Sequence, residues 1–180
     1  MINMGDGSDV PLLARLVDPA VNPSAPTLAR RAVRAVVRRD AELLMVFSTR
    51  RGDYKFPGGG VDAGETDAGA LARELAEECG ARLTGIGAVL GDTLEYRAPR
   101  APGEPVLKMV SRYYLCQIAD DLGPQLLDDY EQQLGFRPVW VSPHQALAAN
   151  LAVVQNRNDV SGAPPPWTPR EILVLQHLQS

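Results

Sequence analysis

Residues 59–81 read GGVDAGETDAGALARELAEECGA, and no other stretch constrains the chain as much. Ala, Leu and Glu dominate its second half, and these are strong helix formers. The composition predicts a helix over residues 66–79 with Gly80 as its stop. On such a helix Ala68, Leu71, Leu75 and Cys79 share one face, which forms the core stripe. Glu74, Glu77 and Glu78 lie together on a neighbouring arc of about 100°. Spacings of three and four residues make their side chains neighbours. Glu78 borders the apolar stripe and is expected to be partly shielded.

Like charges so placed repel one another and weaken a helix. A solvated acidic face is the plain reading of such a run. Two features point elsewhere. The cluster occupies the C-terminal half of the helix, where the macrodipole disfavours anions. Gly58, Gly59 and Gly60 form a flexible loop shortly before it. A hard divalent cation accounts for both, because Mg²⁺ takes carboxylate, carbonyl and water oxygens and bridges to substrate phosphates. Arg73 is placed to pair with Glu65 and tie the loop to the helix. From these residues alone, both readings stand.

Gly59, Glu65, Arg73, Glu74, Glu77, Glu78 and Gly80 also fall in one spaced pattern. It runs G, five residues, E, seven residues, R-E-Leu75, one residue, E-E, one residue, G. That pattern resembles the signature box of the Nudix hydrolases. Seven positions, each matched by chance about one time in fifteen, give a joint chance on the order of 10⁻⁸ at a given start. One position departs: Ala81 stands where the family prefers Ile, Leu or Val, a change of packing and not of chemistry.

The resemblance implies an α/β chain, a Nudix-type α/β/α sandwich around a mixed β-sheet, in a single domain. It is dense over residues 56–81 and looser across 28–180. Residues 1–27 are set apart as an N-terminal arm and residues 28–180 as the Nudix hydrolase domain. It implies that Glu74, Glu77 and Glu78 hold Mg²⁺, for which Mn²⁺ can substitute, with a backbone carbonyl from Gly58. Arg73 and Glu65 orient the carboxylates, while Gly59, Glu65 and Gly80 shape the box. The implied reaction is attack of water on a pyrophosphate linkage in a nucleoside diphosphate joined to another moiety. The general base is a box glutamate, Glu74 or Glu78, or a loop carboxylate, Glu131 ahead of Asp129 and Asp128. The box is slightly favoured, because the path of the loop is not derivable. A nucleoside triphosphate or a small sugar nucleotide such as ADP-ribose suits the chain. The other class is a non-hydrolytic Nudix-fold nucleotide-binding or sensor domain. Such members often lose box carboxylates, and this chain keeps them all.

The net charge is −4, which argues against electrostatic binding of a nucleic-acid duplex and fits a small anionic nucleotide held through metal ions. No apolar run reaches membrane-spanning length. The start, MINMGDGSDV, lacks the basic and apolar regions of a secretory signal, so a cytoplasmic location is expected. Cys79 and Cys116 read as buried thiols, not as a disulfide or as ligands.

The rest of the chain is read in order. A short helix is predicted over residues 11–16, capped by Asp9, within an arm that packs on the body or on a second subunit; a homodimer stays open. Residues 32–39 and 42–48 predict a hairpin. Arg50 and Arg51 follow, either as surface charges or as substrate-binding phosphate contacts. Strands are expected around residues 86–90, 106–119 and 138–141, with an acidic loop over 120–131. A capping box at Ser142 and Gln145 opens a helix ending near Asn150, and a loop covers 151–166. A last helix is capped by Thr168, with Trp167 stapled onto Ile172. Tyr54, Tyr113 and Tyr114 are open to base stacking or sheet packing. His144 and His177 read as surface or packing residues.

Overall fold

The valine-rich run becomes β2, Thr27–Arg39, near the middle of a mixed seven-stranded sheet. The computed structural model describes residues 10–22, 24–99, 101, 103–156 and 167–179. Asp9 and residues 157–166 lie outside that set. The other strands are β1 Leu12–Val17, β3 Glu42–Ser48, β4 Tyr54–Lys55, β5 Leu83–Arg97, β6 Val106–Ile118 and β7 Phe136–Val141. The sheet order is β1-β5-β6-β2-β3-β4, and β7 pairs with β3. The β1–β5 and β2–β6 pairs are parallel; the others are antiparallel.

Alternation along β2 sorts its side chains between two layers. Val33, Ala35 and Val37 meet α1, Asp67–Cys79, through Ala70, Leu71, Leu75 and Cys79. Val36 faces the opposite way, with α3, Pro143–Gln155, and α4, Thr168–His177, through Ala146, Val174 and Leu175. Helices on both faces of a mixed sheet make an α/β/α sandwich. Among the described residues no helix is long and apolar enough to cross a membrane.

Several local expectations give way to tertiary pairing. Residues 12–17 are a strand, not a helix, because the long edge of β5 offers unpaired backbone groups that only a strand satisfies. The Asp92 N–H donates to the Pro11 carbonyl at 2.8 Å at the start of that pairing. Ala68 is exposed, and Ala70 takes its place in the buried stripe of α1. The acidic segment is a loop only to residue 128. Asp128 and Glu131 then form a capping box for α2, Asp129–Leu134. The spacing D-x-x-E was the sequence signal for this start. The capping box at Ser142 is present, but α3 continues to Gln155. Trp167, not Thr168, is the cap residue of α4, and no side chain caps it. The Thr168 hydroxyl and the Trp167 indole N–H both donate to Asp53, and the Trp167 and Phe136 rings pack in a T-shaped pair.

Candidate active site

The glycine loop is held as if it were another strand. The Val33 N–H donates to the Gly59 carbonyl at 3.0 Å, Ala35 N–H to Pro57 at 2.8 Å, and Val61 N–H to Arg31 at 3.0 Å. Backbone groups of residues 31–35 of β2 thus fix residues 57–61 alongside that strand. Gly59 faces the Glu74 carboxylate so closely that a Cβ there would overlap it. This is a close-approach glycine, required by space.

Helix α1 starts with Thr66, whose hydroxyl accepts the Gly69 N–H at 3.1 Å. It ends at Gly80, in the left-handed region at φ 62°. A Cβ at Gly80 would strike the Gly123 carbonyl. That crowding marks a second function of the helix end. Gly123 N–H donates to the Gly80 carbonyl at 2.7 Å, Leu126 N–H to Glu77 at 2.8 Å, and the Gln125 side chain to the Glu78 carbonyl. The segment before α2 therefore satisfies the orphan carbonyls of α1. In doing so it brings α2 and Glu131 to the box.

Arg73 holds the box together. Its guanidinium grips Glu65 through two bonds, Nε to Oε1 at 3.0 Å and Nη2 to Oε2 at 2.9 Å. It also donates to Glu74 at 2.7 Å and to the Gly60 carbonyl at 2.9 Å, and lies 3.6 Å from Glu77. Hydrogen bonding from Arg73 lowers the Glu65 pKa, and the Asp62 N–H adds to this. Glu74 is pushed the other way, first by burial and then by the charge of Glu78, with Arg73 opposing.

Glu78 is buried, well beyond the partial shielding expected. One oxygen pairs with the Lys55 ammonium and the other accepts the Gly58 N–H at 2.8 Å. The Gly58 carbonyl in turn accepts from Arg34 and, at 3.5 Å, from Lys55. Arg34 is buried beside Arg170, Glu171 and Tyr113, and burial lowers its pKa. Arg170 binds Glu95 at 3.0 Å and Glu171 at 2.6 Å, so a charged network under the sheet backs the glycine loop. Glu131 is half-buried, and its pKa is pushed up to about 7 by burial, with the Glu78 charge adding and a hydrogen bond from the Asp128 backbone opposing.

The predicted residues thus split into two groups. Gly58, Gly59, Glu65, Arg73, Glu74, Glu77, Glu78 and Gly80 form one connected unit, and Glu131 lies within the field of Glu78. Arg50 and Arg51 are exposed in the turn after β3, with Arg51 acting on the charge of Asp53. Asp128 is the cap of α2 and Asp129 is exposed. Cys79 and Cys116 are buried free thiols, and Tyr113 is buried in the sheet. His144 and His177 are exposed. Three contributors escaped the sequence reading: Lys55, Arg34 and Asn150. Asn150 is fully buried and clamps Tyr54, accepting its N–H at 2.7 Å and donating to its carbonyl at 3.0 Å. Its signal was an amide inside an apolar helix, and such a group demands partners.

The donors suit a hard divalent ion in kind: carboxylate oxygens and a backbone carbonyl. Burial, and after it the neighbouring Glu78 charge, raises the pKa of Glu74, so a cation placed there would favour its ionised form. Among the described residues, however, no three of His, Cys, Asp and Glu are gathered as a metal-holding group. Glu78 is turned to Lys55, and Glu74 to Arg73.

A model of the Nudix domain matches residues 28–160. The chain belongs to the Nudix family. Its class of activity follows from that membership: it is a pyrophosphohydrolase, in a family that generally uses a divalent metal and acts on small nucleotides. Among solved structures, this Nudix protein is similar to the MutT Nudix hydrolase of Burkholderia pseudomallei, at 20% identity and a TM-score of 0.50. That match covers 81% of this chain and 96% of the other. A Nudix hydrolase of Nitrosomonas europaea matches at 20% identity and a TM-score of 0.48, over 84% of this chain and 90% of the other. The first of these is a likeness of fold. A comparison with curated proteins finds no match.

Proposed function

We propose that this Nudix protein is an Mg²⁺-dependent hydrolase of a pyrophosphate linkage in a nucleoside triphosphate or a small sugar nucleotide such as ADP-ribose. The observation that carries this reading is the clamp of Arg73 on Glu65 and Glu74, with Glu78 and half-buried Glu131 beside it. Glu74, Glu77, Glu78 and the Gly58 carbonyl would hold the ion. A bound divalent ion supplies charge neutralisation on the phosphoryl oxygens and makes water more acidic. Arg73 keeps the carboxylates pointed at one place. Glu131 accepts the proton of the attacking water; its raised pKa suits a base working near neutral pH. Arg50 and Arg51 meet the distal phosphates at the mouth. The acidic surface charge goes with a small nucleotide in the cytoplasm, and not with a nucleic-acid duplex.

The test is release of phosphate or pyrophosphate from a panel of nucleoside triphosphates and sugar nucleotides, with Mg²⁺ and with chelator. Turnover of at least one compound, abolished by chelator, is expected. Tight nucleotide binding without turnover at any Mg²⁺ or Mn²⁺ concentration would instead establish a sensor domain.

Arg73→Ala should act through geometry. It frees Glu65 and Glu74 together and releases Gly60. Metal affinity is expected to weaken roughly 10- to 100-fold, the usual cost of losing an orienting partner. Turnover should return in part at high Mg²⁺. A variant with wild-type Mg²⁺ affinity by titration calorimetry would refute the orienting role.

A further inference from the structure

The Lys55 ammonium lies where the acidic groups of the site converge. Its side chain is 10% exposed, and that of Glu78 is 1% exposed. It bonds Glu78, stands 3.5 Å from the Gly58 carbonyl, and its charge acts on Glu74 and Glu131. The Phe136 ring lies 5.2 Å away on another side. Strand β4 is pinned, because Val46 pairs with Lys55 and Asn150 clamps Tyr54. The stem is therefore fixed at its base and free only in its side chain.

A carbonyl oxygen has two lone pairs, and at Gly58 both face cations. Arg34 is buried and makes the shorter bond. Lys55 makes the longer bond on a flexible four-carbon stem. A metal ion on the Gly58 carbonyl therefore needs one of its two cations to leave, and at Glu78 the ammonium and a metal ion compete as like charges.

We propose that Lys55 is a tethered cation that holds Glu78 and the Gly58 carbonyl in the metal-free protein and is displaced from them by the divalent ion. The inference rests on the metal-dependent reading above. Lys55 is then a positioning residue. It prevents the carboxylates from repelling the box apart before the metal arrives, and it lowers metal affinity by competing for shared oxygens.

The experiment uses the full chain with Lys55→Met, Glu78→Gln and the double variant. It reads metal-free thermal midpoints and Mg²⁺ affinity by titration calorimetry, with no substrate present. Metal-free Lys55→Met should melt at least about 4 °C lower than wild type. Its Mg²⁺ affinity should be about tenfold tighter, equivalent to about 1.4 kcal/mol. In the Glu78→Gln background, Lys55→Met should tighten Mg²⁺ binding clearly less than in the wild-type background, since the Glu78 charge is gone and only the longer bond to the Gly58 carbonyl is still shared. An independent readout uses the wild type alone: the Lys55 ammonium protons should be protected from exchange without metal and lose that protection on adding Mg²⁺. Wild-type Mg²⁺ affinity in Lys55→Met overturns the inference. So does equal tightening in the Glu78→Gln background, which would reduce the lysine to a distant charge. Ammonium protection unchanged by bound Mg²⁺ overturns it as well. If the wild type binds no Mg²⁺, the metal-dependent reading falls with it; if the wild type binds Mg²⁺ and hydrolyses while Lys55→Met is indistinguishable, only the lysine inference falls.

Discussion

Glu78→Gln is expected to lower turnover at least about a hundredfold at saturating Mg²⁺. The substitution keeps the shape of the side chain and removes its charge. The fold should survive, but not unchanged. Glu78 is the counter-charge of buried Lys55, so the variant leaves an ammonium in a poorly solvated place. The metal-free protein should lose about 2 kcal/mol, or roughly 4–8 °C in midpoint for a chain of this size. Repulsion among the helix carboxylates, considered alone, would have given the opposite sign. The Lys55 pair decides it, because it is closer and more buried than the carboxylate neighbours. Steady-state hydrolysis of the best substrate and a thermal melt check the two halves separately. Near wild-type turnover would remove Glu78 from the site.

Glu131→Gln should lower kcat by about 10²- to 10⁴-fold, the usual contribution of a base acting in the transition state. Metal affinity should change little. Gln preserves the capping box of α2, because its oxygen still accepts the Asp128 N–H. Asp129→Asn, two residues earlier on the helix and exposed, should be nearly silent. Single-turnover hydrolysis at saturating Mg²⁺ compares the three proteins. A silent Glu131→Gln with defective Glu74→Gln would return the role of base to the box. The same variant has a stability signature. The Glu131 carboxyl is raised from 4.5 to about 7 in the folded protein. Its folded pKa exceeds its unfolded one, so the native state binds the extra proton. The penalty is absent below pH 4.5, grows as pH rises toward 7, and is complete above it. Metal-free Glu131→Gln should therefore match the wild type at pH 4.5 and melt higher than the wild type at pH 8.

The sequence alone determined the box. Its residues follow one another at spacings of one to eight along one helix and the loop before it, so local geometry places them without further information. Arg73 with Glu65, the stop at Gly80, and the neighbouring carboxylates at 74, 77 and 78 were all legible for that reason. Helix starts written in short patterns, such as Ser142 with Gln145, were legible too. The tertiary structure alone decided what surrounds the box. Residues 12–17 carry helix-forming Leu and Ala, yet become a strand because the edge of β5 must be paired. Glu131 is fifty-three residues beyond Glu78 and feels its charge only because residues 123–126 bond to the end of α1. Nothing in the local sequence around Lys55 marks it as part of the site. One of only two lysines in an arginine-rich chain, it gained its place when Asn150 and β3 pinned its strand under Glu78. Local spacing reveals groups that one element carries; burial and long-range charge depend on which elements meet, and the backbone hydrogen bonds at sheet edges and helix ends made that choice.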